Sequence, residues 1–160
     1  MALFSKLKSS KNNDRDITLL KRDEYKSIIV LIDNPENIVH NLLHKSFINA
    51  DFSYLTNRSE KLDISTGNNY TFHKKDLTFA KVKNERLSNL LTLKFDLLID
   101  LSQQNDSLKY FTERLNAGLK IGCFDTTKNF FYDLLVEKKE TIGEILKQME
   151  QQIDLLTIKR

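Results

Sequence analysis

The sequence predicts a single α/β domain built on a mostly parallel sheet of about four or five strands flanked by helices. Three observations carry this. "SIIVLI" at 27–32 and "FDLLIDL" at 95–101 are nearly continuous apolar runs, the pattern of strands covered on both faces. Each is followed by polar turn residues and then by apolar residues at helical spacing, which is the opening of a βα unit. The closing stretch, "TIGEILKQMEQQIDLLTI", sets Ile142, Ile145, Leu146, Met149, Ile153 and Leu156 three and four apart on one helix face.

Taken in order, residues 1–22 form a basic N-terminal arm or helix, and 23–160 form the domain. The leading segment holds six basic residues against Asp14 and Asp16, a net of +4 in a chain of +3, so the remainder is nearly neutral. Leu3, Phe4 and Leu7 stand at helical spacing among lysines. That suits a helix packed on its own domain or a tail, and also a contact arm for RNA or an anionic surface. After the first strand, Asp33-Asn34-Pro35 stops the run. Proline fits the first turn of a helix, and Asp33 or Asn34 can cap it. Ile38, Val39, Leu42 and Leu43 then mark the helix face.

"FINADFSYL" alternates partly and supplies a possible second strand. Gly67-Asn68-Asn69 is the strongest turn signal of the stretch that follows. Another possible short strand opens "TFHKKDLTFAKVKNERLSNLLTLK", and Leu87, Leu90 and Leu91 share a helix side. Beyond the 95–101 strand, Asp106 or Ser107 can cap a helix with Leu108, Phe111 and Leu115 inward. Gly118 stands where a helix C-terminal glycine belongs. "LKIGCF" and "NFFYDLLVE" are the last strand candidates. The link between them is too short for a helical crossover, which favours an antiparallel final strand. Thr141 is placed to cap the closing helix.

Composition narrows the function classes. A length of 160 residues suits one domain. The single cysteine, Cys123, permits neither an internal disulfide nor a structural zinc site, and a reducing cytoplasm is the expected compartment. The N-terminus has no signal-peptide core and no stretch has membrane-span length, so the chain is expected not to be transmembrane. The four glycines are scattered, with neither a dinucleotide fingerprint nor a phosphate-binding loop. No cofactor and no metal is therefore expected, and no catalytic residue is assigned.

The block "FDLLIDLSQQNDSLKYFTERLNAGLKIGCFD", together with "IVLID" at 29–33 and "KKDL…KN" at 74–84, resembles a family of short Bacteroidetes-type α/β proteins of unknown function. More locally, 95–101 with Lys120-Ile121-Gly122 resembles the acceptor-side domain of heptosyltransferase-type glycosyltransferases. That likeness implies a Rossmann-like architecture. Those enzymes use a second, donor-binding domain of similar size, so if the folds are related a half without the donor site is expected here, and Asp33-Asn34-Pro35-Glu36 stands where they carry a glycine-containing loop.

In an open parallel sheet, ligands bind beyond the carboxyl ends of the strands. The rim to inspect is therefore Asp33 and Asn34 after the first strand, Asp100, Ser102 and Gln103 after the 95–101 strand, and Asp125 after "KIGCF". Three carboxylates there could hold a divalent cation. The favoured role is humbler: caps and turn bonds. His40 and His44 lie four apart on a helix but lack the glutamate of a zincin motif, and are read as surface histidines. Cys123 is read as a buried, inert thiol. Lys6, Lys8 and Lys11 in the arm, with Lys74, Lys75, Lys81 and Lys83 around Phe79, are the candidate contacts to nucleic acid or an anionic surface. The expected function is that of a cytoplasmic, non-catalytic binding module with a protein partner. The alternatives are a degenerate or partner-completed glycosyltransferase-like half, and an RNA- or ribosome-associated factor.

Overall fold

The computed structural model describes residues 15–33, 36–56, 68–72, 82, 84–102, 106–123 and 132–158. Ten elements of helix or strand follow a single turn of 3₁₀-helix at Arg22–Glu24. They are β1 (Ser27–Leu31), α1 (Asn37–Ser46), β2 (Asp51–Thr56), β3 (Asn68–Thr71), α2 (Glu85–Leu90), β4 (Lys94–Asp100), α3 (Asp106–Arg114), β5 (Asn116–Cys123), β6 (Leu134–Val136) and α4 (Ile142–Ile158).

The strands form one six-stranded sheet in the order β3-β2-β1-β4-β5-β6, and every pair is parallel. The order reverses between β1 and β4, which is the switch point of a doubly wound sheet. Two clusters cover its faces. Ile28, Val30, Leu97, Ile99, Leu119 and Ile121 meet Val39 and Leu43 of α1 and Ile145, Met149 and Ile153 of α4. On the other face Ile29, Leu31 and Leu98 meet Leu87 and Leu90 of α2 and Leu108 and Phe111 of α3. β1 and β4 are thus sealed on both sides, which is why their sequences are apolar without alternation.

Five local expectations are corrected. The sheet has six strands, not four or five, and the last is parallel. The reason is register: Leu134 pairs with Ile121, two residues back from the end of β5, so the chain returns only about 7 Å along the strand and needs no full crossover. Gly118 lies inside β5 and ends no helix, since α3 stops at Arg114. A side chain there would meet the Asp96 carbonyl oxygen at 3.1 Å and Thr18 Cβ at 3.4 Å. Asn68 and Asn69 belong to β3, paired with Ser53 and Tyr54, although they read as a turn. Finally, α1 begins at Asn37 with Glu36 at its N-cap, so Asp33 does not take that position.

Other boundaries follow their local chemistry. Asn84 caps α2, its side-chain oxygen accepting from Arg86 N at 2.9 Å and Leu87 N at 3.4 Å. The Thr141 hydroxyl accepts from Glu144 N at the start of α4. Asp96 ties the amino ends of β1 and β4, accepting from Lys26 N at 2.8 Å and Ser27 N at 3.2 Å.

Because β6 covers only residues 121–123, the amino-terminal half of β5 has no strand on its outer side among the described residues. Residues 15–18 and Asp133 close it instead. Thr18 N donates to Gly118 O at 2.9 Å, and Arg15 donates to Ala117 O at 2.8 Å. Asp133 donates its amide to Lys120 O and accepts Lys120 N at its carboxylate. Ile17, Leu19 and Leu20 lie half-buried against the first cluster. The described part of the leading segment is thus docked on the domain.

Candidate functional site

The carboxyl ends of β1 and β4 flank the switch point, and the polar residues there were built by two different local rules. Asp33 follows β1. Its carbonyl oxygen accepts the Thr56 hydroxyl from the end of β2 at 3.1 Å, so the turn is tied to the neighbouring strand. Asp100 ends β4 and is only 2% exposed. A buried carboxylate needs partners for its lone pairs. One oxygen accepts from Ser102 N at 2.9 Å and from the Ser102 hydroxyl. The other accepts the Tyr132 hydroxyl.

Tyr132 reaches Asp100 because Gly122 leaves room. A Cβ on Gly122 would stand 2.5 to 2.7 Å from three carbons of the Tyr132 ring. Burial pushes the Tyr132 phenol far above its ordinary range, and the Asp100 charge and the hydrogen bond push in the same direction. The phenol therefore stays protonated and donates. The Asp100 carboxylate thus accepts from both Ser102 and Tyr132 and is turned into the protein.

Of the rim residues expected from the sequence, Asp100 and Ser102 are brought together, and Asp33 sits across the switch point on β1's end. Asn34, Gln103 and Asp125 lie outside the described residues. So do Lys6, Lys8, Lys11, Lys74, Lys75, Lys81 and Lys83. Among the described residues no group of three or more His, Cys, Asp or Glu side chains could hold a metal ion.

His40 is more than a surface residue. It is half-buried, and its Nδ1 shares a 2.5 Å hydrogen bond with the hydroxyl of the fully buried Tyr54. Burial lowers its pKa, helped by His44, whose ring stacks on it at 6.3 Å. Cys123, at the end of β5, is half-buried.

Two buried charged positions escaped the sequence reading. Lys120 is 4% exposed, and its ammonium donates to the carbonyls of Thr112 at 2.7 Å and Glu113 at 3.3 Å, the last turn of α3. That is a C-terminal helix cap supplied from a neighbouring strand. Burial lowers Lys120 to about 8, with Arg15 adding to the drop and Asp133 and Glu113 opposing it. Asp133, 2% exposed, pairs with the Arg15 guanidinium. Gly122 was the one available signal for Tyr132, since a glycine inside a strand marks close approach of another group. Nothing in the sequence marks Lys120 as inward.

The model of a family of unknown function, DUF6913, matches residues 2–158. The chain belongs to that family. No curated protein and no solved structure matches this DUF6913 chain. The match takes in both the leading segment and the helix α4. Among the described residues of this DUF6913 chain, no helix is long and apolar enough to cross a membrane.

Proposed function

We propose that this DUF6913 chain is a non-catalytic binding module of the cytoplasm that takes a protein partner. The observation that carries the reading is Asp100. In a doubly wound sheet, a carboxylate at the end of the strand beside the switch point is the residue best placed to meet a ligand. Here it is spent on Ser102 and Tyr132, inside the protein. A strand-end carboxylate bonded inward in this way supports the domain rather than a reaction. A single cysteine, Cys123, allows no disulfide within the chain, which accords with a reducing compartment.

The test is affinity purification of the tagged full chain from its native cytoplasm, with and without ribonuclease, identifying both proteins and RNA. A stoichiometric protein partner that survives ribonuclease is expected. Recovery of RNA alone would replace this reading with the RNA-associated one.

A second reading, a Rossmann-like half of glycosyltransferase type completed by a partner, has the β3-β2-β1-β4-β5-β6 order in its favour. Saturable calorimetric binding of a nucleotide-sugar to the chain together with its protein partner, and not to the isolated chain, would promote it.

A further inference from the structure

We propose that residues 15–20 form a strap that opens independently of the domain, and that the edge of β5 it uncovers takes an extended peptide segment of a protein partner. The proposal rests on the binding-module reading and names the surface that module would use.

The edge is already a peptide-binding edge in the structure, with the chain's own segment as occupant. Thr18 N donates to Gly118 O as an added strand would, which is the hydrogen-bonding logic of strand addition. Gly118 lets it come close: its missing side chain would stand 3.4 Å from Thr18 Cβ. Arg15 fixes the register through Ala117 O, Gly118 O and the buried Asp133 carboxylate. The site therefore specifies an extended segment with an arginine three residues before the residue that pairs with Gly118.

The strap is held lightly compared with what it covers. Its backbone makes one bond to β5, and Ile17, Leu19 and Leu20 are half-buried, whereas Ile28, Ile29 and Val30 are fully buried. Segments with few buried contacts are drawn from the low-stability end of a protein. Opening does not strand Asp133. Its carboxylate keeps the Lys120 amide at 2.9 Å, and the Lys120 ammonium stays in its field. Departure of Arg15 also removes one of the charges that hold Lys120 down, so the open form binds a proton more readily. The charged groups facing Lys120 are Arg15 from the strap, Glu113 from α3 and Asp133 ahead of β6.

Two measurements on the full chain test this. The first is native-state hydrogen exchange, in which the Thr18 amide should exchange at least about 100-fold faster than that of Ile29 in β1. The second is fluorescence anisotropy with a labelled peptide of residues 14–20, Asp-Arg-Asp-Ile-Thr-Leu-Leu. It should bind the Arg15→Ala chain at least about tenfold more tightly than wild type, where the strap competes. The same peptide with alanine for its arginine should not bind. Thr18→Pro, which removes the strap's donor and leaves the ion pair, should also bind the peptide more tightly than wild type. A Thr18 amide as protected as that of Ile29, or a peptide that binds no variant or all alike, overturns the proposal. A partner that is recovered from cytoplasm but leaves Thr18 exchange unchanged would keep the module reading and sink this one.

Discussion

The Tyr132 ring occupies the volume that a side chain on Gly122 would need. The strand β5 is thereby kept bare at one position so that a phenol can reach Asp100 on β4.

Gly122→Ala should be costly out of proportion to one methyl group. Overpacking a filled site costs roughly 1–3 kcal/mol, and here the ring's displacement also takes its hydroxyl from Asp100. In the Tyr132→Ala background the same substitution should cost less than about 0.5 kcal/mol, because the obstacle has gone. Urea melts of the four chains give the coupling. Simple additivity would mean that the two residues do not compete for the same space.

Leu98→Ala should destabilise by roughly 2–5 kcal/mol, the usual cost of a cavity in a sealed core. Leu98 is fully buried among Ile29, Leu108 and Phe111. A loss below about 1 kcal/mol in denaturant would contradict a strand covered on both faces.

Stability should rise with pH between about 8 and 10 through Lys120. Its folded pKa of about 8 lies below its ordinary value of 10.5, so in that window the unfolded chain binds more protons than the native one. Below about 8 both states hold the proton and this slope vanishes. Tyr54 and Tyr132, whose phenols are pushed upward by burial, contribute the opposite slope, but only once unfolded tyrosines ionise near pH 10. Thermal melts at intervals from pH 7.5 to 9.5 should therefore show an upward trend that Lys120→Met flattens. An identical slope in both chains would assign the effect elsewhere.

Arg22 links three parts of the molecule. Its guanidinium binds Asp154 of α4 through two bonds, at 2.8 and 3.0 Å, and reaches the Ser46 carbonyl at the end of α1. Both partners are about a third or more exposed, so the ion pair itself should contribute no more than about 1 kcal/mol. An Arg22→Ala, Asp154→Ala double-mutant cycle should give a coupling of that size that shrinks between low and high salt. A coupling that ignores salt would point to packing of the arginine stem instead.

The elements legible in the sequence were those whose burial is written locally. β1 and β4 are apolar at nearly every position because both faces are covered, and α4 repeats its apolar residues with the helical period. β3 was opaque for the converse reason. Tyr70 and Thr71 suit a strand but Asn68 and Asn69 read as a turn, and the four form a strand because Ser53–Thr56 offers them a ladder. Asp100 was found as a strand-end carboxylate, whereas its partner Tyr132 lies 32 residues away and no periodicity connects them. Arg15 and Asp133, 118 residues apart, were invisible as a pair in the same way. Net charge placed Arg15 in a basic arm, but only the folded edge of β5 gives it a task.

The finishing of that edge has a consequence during synthesis. Arg15 is among the first described residues to leave the ribosome, yet its docking place on Ala117 is 102 residues further on. At roughly 5–20 residues per second, the leading segment waits on the order of 5–20 s for the surface it will cover. Asp133 arrives later still, so the ion pair that fixes the register forms only after the rest of β5 has been made. Throughout that interval the Arg15 guanidinium of a nascent chain has neither the Ala117 carbonyl nor the Asp133 carboxylate to meet, and the strap is open by necessity before it is open by choice.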